Sequence, residues 1–176
     1  KENPKNNKNQ NKSDLFELET LKDKDDFIKA RAEADSKALK KKFSDDLIYK
    51  KNLPNNSNCK SLYATAEKIR YETLGGKMLK GIEKNFKDNY NYLINTKKSN
   101  QLKTKDDVPV SEAFELYMLK NFHNIKLNST ASKMLGFWEK DFSHTIDKHI
   151  NFLKDNLENQ SIYGSKFSKI LQEMDI

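Results

Sequence analysis

Five glycines and three prolines are all the chain breakers that 176 residues contain. Long stretches therefore run uninterrupted, and within them apolar side chains return every three or four positions, the spacing that gives a helix one buried face. Only "DLFELETL", residues 14–21, has a composition that suits extended backbone. The expected fold is all-α: an irregular bundle of about six helices behind an N-terminal arm. The first helix spans Lys24 to Phe43 and opens on aspartates, which favour a helix N-terminus. "NLPNNSN", 52–58, forms a loop whose Ser57 or Asn58 caps a second helix reaching Leu74. The glycine pair at 75–76 interrupts it, and a third helix continues to Tyr92. "NTKKSNQLKTKDD" is a polar linker, Pro109 and Ser111 start a fourth helix, and "LNST" opens a fifth that breaks near Asp141. "IYGSKFSKILQEM" closes the chain. There is no internal repeat and no sustained heptad.

The arm, residues 1–13, carries four lysines and one glutamate in "KENPKNNKNQNK" and no large apolar side chain. It cannot offset the entropy of ordering and is expected to be disordered; residues 14–176 form the folded domain. The net charge of +7 raises a polyanion-binding reading. In the body, however, "LKDKDD" and "KKFSDD" alternate sign as solvated helix faces do. No basic cluster coincides with a base-reading motif. One cysteine, Cys59, excludes an internal disulfide and fits a reducing compartment. No apolar run reaches the roughly 18–20 residues of a membrane span, and residues 1–13 lack the charged-then-apolar pattern of a leader. A soluble, cytoplasmic protein is expected.

Positive charge is written almost wholly as lysine: among 33 basic residues, only Arg31 and Arg70 are arginine. At about 100° per residue, Arg70 falls inside the apolar arc of Cys59, Leu62, Tyr63, Ala66, Ile69 and Leu74, with Glu67 one turn earlier and Glu72 pointing away. Arg31 and Asp35 fall likewise among Phe27, Ile28, Ala34, Ala38 and Leu39. A guanidinium stays charged, offers five donors in a planar fork and tolerates desolvation better than an ammonium. Arg31, Asp35, Glu67 and Arg70 are thus expected to form one packed ionic cluster between the first two helices. A ligand or acid–base site is the alternative, requiring carboxylates of perturbed pKa in a cleft.

Other motifs carry less. "DFSHT", 141–145, has the D-x-S-x-T spacing of a metal-ion-dependent adhesion site, but such a site needs a strand to deliver its ligands, and "GFWEK" before it is helical. "GGKMLKG" is no phosphate loop: Tyr71 stands where its first glycine belongs, and Met78 follows Lys77 where a hydroxyl is needed. His144 and His149 diverge by about 140° on a helix, and His123 is remote in sequence. Cys59 lies on the apolar arc as a small hydrophobe. Phe137, Trp138 and Phe142 belong to the core, with an interface anchor as the alternative. No catalytic, cofactor-binding or metal-binding residue is assigned.

Several of these stretches, taken in order, resemble a known family. "ARAEADSKALKKKFSDDLIYKKNLP" followed by "AEKIRYETLGGKMLKGIEKNF" is similar to the N-terminal region of the CobT subunit of aerobic cobaltochelatase. Arg31, Ala34 and Asp35 match its Arg–Ala–Asp helix; Glu67, Arg70, Glu72, Leu74, Gly75, Gly81 and Asn85 match its "E-x-x-R-x-E-x-L-G" helix and the step after it. "PVSEAFELYMLKNF", "MLGFWEKDF" around Trp138, and "ENQSIYGSKFSKILQEMDI" with Gln160, Tyr163 and Leu171 extend the likeness over roughly residues 15 to 176. Glu139 departs from it, since the family places arginine after its tryptophan.

The resemblance implies a subunit of an ATP-dependent complex that inserts cobalt into a corrin ring (hydrogenobyrinic acid a,c-diamide) in aerobic cobalamin synthesis. It implies as partners an AAA+ ATPase subunit and a large corrinoid-binding subunit. Mg-ATP and cobalt are then handled by the complex, with none bound by this chain, whose part is assembly rather than catalysis. In this family an acidic linker and a von Willebrand A domain follow the region matched here. Two rivals stand beside it: a basic helical nucleic-acid-binding module with a helix–turn–helix around the glycine pair, and a family relic without a chelatase role.

Overall fold

The computed structural model describes residues 23–97 and 102–174, and among these every regular element is helical. The order is α1 (Lys24–Phe43), α2 (Asp46–Asn52), α3 (Ser57–Met78), α4 (Lys80–Thr96), α5 (Val110–Phe122), α6 (Ser129–Gly136), α7 (Glu139–Ile146), α8 (Ile150–Asp155) and α9 (Gln160–Gln172). Short 3₁₀ turns stand at Lys105–Asp107 and Asp147–His149. The arm at 1–13 and the candidate extended stretch at 14–21 lie outside the described residues. The all-α expectation holds, with more and shorter helices than the six anticipated. The fifth helix, expected to break near Asp141, is continuous there and divides instead at 137–138 and 147–149, giving α6, α7, a 3₁₀ turn and α8, and α2 is additional.

Local chemistry accounts for most boundaries. Asp23 caps α1, its Oδ1 accepting from the amides of Asp25 and Asp26 at 2.8 and 2.9 Å, and Lys40, Lys41 and Lys42 lie at the negative end. Asp45 caps α2 through the amides of Leu47 and Ile48. Asn56, one residue before the predicted cap, accepts from Asn58 N at 2.8 Å to start α3.

The glycine pair does not break the chain. α3 runs through it and ends at Leu79, where the backbone is extended. Gly75 instead serves packing: a Cβ there would overlap the methyl carbons of Leu39, so the absent side chain lets α1 seat against α3. With α3 continuous across residues 75–76, the turn of the anticipated helix–turn–helix is not there.

The helix α3 runs through the middle of the molecule, packed by α1, α4, α5 and α9. Its Leu62, Tyr63, Ala66 and Ile69 are fully enclosed. Beside it Phe114 meets Phe142 and Phe167 edge-on, with centroids 5.5 and 6.1 Å apart, the geometry that aromatic quadrupoles favour. Among the described residues, no helix is long and apolar enough to cross a membrane.

Candidate functional site

The centre of the polar chemistry is Arg70, whose side chain is fully buried. Its Nε lies 3.2 Å from both oxygens of Glu67, one turn earlier on α3 and itself buried. Nη1 donates to the carbonyl of Leu157 at 2.9 Å, in the turn before α9. Nη2 donates to the carbonyl of Phe43 at 2.6 Å and to Ser44 Oγ at 3.2 Å. Phe43 is the last residue of α1, so its carbonyl has no partner within the helix, and the guanidinium supplies both a donor and a positive charge at that negative end. These acceptors diverge around a plane. A fork reaches them together; a single ammonium does not.

Gln160, the first residue of α9, completes this cluster. Its Nε2 donates to Glu67 Oε2 at 3.1 Å and to the Asp45 carbonyl at 3.3 Å, while its Oε1 accepts from the Asp45 amide at 2.7 Å. One side-chain amide thereby clamps the joint between α1 and α2 onto α3 and α9. Burial pushes the Glu67 carboxyl above its usual range, and the Arg70 guanidinium and Gln160 amide pull against that.

The other two members of the expected quartet lie elsewhere. Asp35 accepts from Asn85 Nδ2 at 2.7 Å, a bond between α1 and α4. Arg31 is exposed, with no hydrogen-bond or ion-pair partner among the described residues. The reason is helical phase. The face of α1 that meets the core carries Ala32 and Leu39, with Asp35 and Ser36 half-buried beside them. Phe27, Ala34 and Ala38, assigned to the apolar side, are exposed. The single four-residue cluster is therefore corrected to a Glu67–Arg70–Gln160 core with Arg31 and Asp35 outside it.

Glu72 is the residue that sequence reasoning missed. Expected to point away, it is 1% exposed and accepts from Ser36 Oγ at 2.6 Å and Tyr90 Oη at 2.5 Å, joining α1, α3 and α4. Burial raises its pKa, with Lys68 and the two hydroxyl donors opposing. A central helix buries several faces, so an argument built on one stripe puts some enclosed residues outside. The clue available was the run from Leu62 to Gly75, which holds one lysine, Lys68, in a lysine-rich chain.

The remaining candidates fall into place simply. Gly81 has open space around it. Trp138 is half-buried, donates its indole N–H to the Val108 carbonyl at 3.0 Å and stacks on Phe142. Glu139, where the resemblance has arginine, pairs with Lys120 at 2.7 Å. "DFSHT" lies within α7, away from any strand. His144 is exposed, and His123 is buried between Phe86 and Tyr90, its pKa lowered to about 4 by burial. Cys59 is buried with its thiol against the Leu171 carbonyl, and burial raises its pKa, which keeps it protonated and unreactive.

A cleft of about 390 Å³ opens beside the cluster, lined by Tyr49, Glu67, Lys68, Tyr71 and Glu115 among others. Glu67 is the buried acid at its wall, but the carboxylate is engaged by Arg70 and Gln160, which leaves it poorly placed to take a proton from a bound molecule. The arrangement holds helices in register.

The family model described as "Cobalamin biosynthesis protein CobT" matches residues 2–176 of the chain. No curated protein and no solved structure gives a match.

Proposed function

The chain belongs to the CobT family of cobalamin biosynthesis proteins, and from that premise we propose that it is a non-catalytic assembly domain of a cobaltochelatase subunit. It supports ATP-dependent insertion of cobalt into a corrin ring in the cytoplasm by docking with an AAA+ ATPase subunit and a large corrinoid-binding subunit. Mg-ATP and cobalt are handled by those partners. The observation that carries this reading is the internal use of the buried charges: Arg70, Glu67 and Gln160 satisfy one another and backbone groups of Phe43, Asp45 and Leu157. Such a network fixes a shape that partners recognise, and it presents no activated group to a substrate.

Reconstitution tests it. The chain mixed with the two partner subunits should co-purify with the AAA+ subunit and raise the rate of cobalt insertion. Association without any effect on insertion would assign it to a relic of the family. Failure to associate, with duplex-DNA binding that weakens steeply as salt rises, would replace the proposal with a nucleic-acid module.

A further inference from the structure

The helices α3 and α4 are joined by a single residue, Leu79, and α4 folds back so closely that a Cβ at Gly76 would lie 3.3 Å from Glu83 Cβ. At this corner Lys77, Met78, Leu79, Lys80 and Gly81 are all exposed. Met78 and Leu79 are 54% and 56% exposed, and among the described residues no other two large exposed apolar side chains are neighbours in sequence. Single exposed ones are ordinary; an adjacent pair on a corner asks for a reason. The backbone around the pair also forgoes stability. Leu79 is the N-cap of α4 and makes no side-chain bond, whereas α1, α2, α3, α6 and α9 each start on an Asp or Asn that accepts from first-turn amides. Gly81 lies in the first turn of α4 without a positive φ, and a Cβ there would meet nothing within 4 Å, so neither conformation nor packing requires a glycine. Local rules broken with no internal gain point to a surface shaped for contact.

We propose, on the footing of the assembly role given above, that this corner inserts into a pocket of a partner subunit with an apolar floor and a rim of carboxylates. The charge at the corner selects the rim. Lys77 and Lys80 flank the apolar pair and form no ion pair or side-chain hydrogen bond among the described residues, while Glu83, the acid nearest to Lys80 in sequence, is held by Lys87 at 2.5 Å. Two ammonium groups are therefore free to meet acids on the partner. Met78 is unbranched and polarizable and adapts to the shape of an apolar pocket. Gly81 leaves the rim room to approach the backbone of α4. Because two packed helices fix the corner, little ordering is needed on binding. A second copy meeting the first corner to corner would oppose lysine to lysine.

Titration of the full chain against each of the two partner subunits tests this. Met78→Ser with Leu79→Ser should weaken the association by about tenfold or more. Lys77→Glu with Lys80→Glu should weaken it too, most strongly at low salt. Leu79→Ser alone separates docking from structure: it gives α4 a capping hydroxyl, so the urea midpoint should rise while association falls. Association of the Met78/Leu79 variant as tight as the parent's overturns the docking surface and leaves the assembly role standing. A Leu79→Ser variant whose urea midpoint falls together with association overturns it as well, by giving Leu79 to the fold. A parent chain that binds neither subunit removes the assembly role and this surface with it. Binding to vesicles of phosphatidylserine and phosphatidylcholine that the Met78/Leu79 variant loses, with subunit association unchanged, assigns the corner to an anionic membrane instead.

Discussion

The two arginines invite direct comparison. Each stands on a helix with a carboxylate one turn away in sequence, Arg70 after Glu67 and Arg31 before Asp35. Arg70 is enclosed and bonded to a carboxylate, two carbonyls and a hydroxyl. Arg31 is exposed beside a groove, and Asp35 has turned to Asn85 on another helix. What separates them is the number of neighbours around each helix. The middle of α3 is packed by four helices, and the charged side chains buried there, Glu67, Arg70 and Glu72, are held by internal partners. The beginning of α1 touches the molecule on one side only, and its polar side chains face water.

The largest test of that contrast is removal of the buried guanidinium. Arg70→Ala leaves Glu67 enclosed without a cation and the carbonyls of Phe43 and Leu157 without donors; it should cost about 3–5 kcal/mol in urea unfolding. Arg70→Lys should recover little, since an ammonium cannot serve these divergent acceptors together. A lysine variant as stable as the parent would break the comparison at its first term. Gln160→Ala comes next, at about 1–3 kcal/mol, because it strips a donor from Glu67 and an acceptor from the Asp45 amide.

Glu72 extends the contrast from cations to anions, since it is buried with two hydroxyl donors and no ion pair. Its folded pKa is raised above the ordinary 4.5. Between these two values the folded state holds more protons than the unfolded one, so its contribution to stability is greatest below the ordinary value and is lost as pH rises through the window. Glu72→Gln removes that dependence. Relative to the parent, the variant should gain stability with rising pH across the window, by at most about 1.4 kcal/mol per pH unit. Urea titrations at several pH values report it; parallel curves for parent and variant would place Glu72 in water.

Residue types and helical period made the helical class legible, along with the span of α1, the start of α5, and Arg70 paired with Glu67 in the core. Three things were not. Gly75 followed by Gly76 reads as a break, yet the space is used to admit Leu39, a tertiary contact that leaves no local trace. The phase of α1 was misjudged because alanines are neutral markers: Ala32 is buried while Ala34 and Ala38 are not, and only the neighbouring helix decides which. Gln160 lies 93 residues from Glu67, and no spacing rule joins them. The resemblance had marked Gln160, Glu72 and Asn85 as positions to watch, without the reason for each, which is now a bond to Glu67, to Ser36 and Tyr90, and to Asp35 respectively.

The smallest expected effect is also the one that most sharply isolates environment from residue type. Arg31→Ala removes the same guanidinium as Arg70→Ala, with the same number of donors and the same charge. It strands no buried acceptor, since Asp35 keeps Asn85 and the groove around Arg31 is open to water. Global stability should stay within about 0.5 kcal/mol of the parent in urea unfolding. A loss matching that of Arg70→Ala would mean that Arg31 is held by partners as firmly as Arg70 is, and the difference between an enclosed helix and a half-covered one would then explain neither arginine.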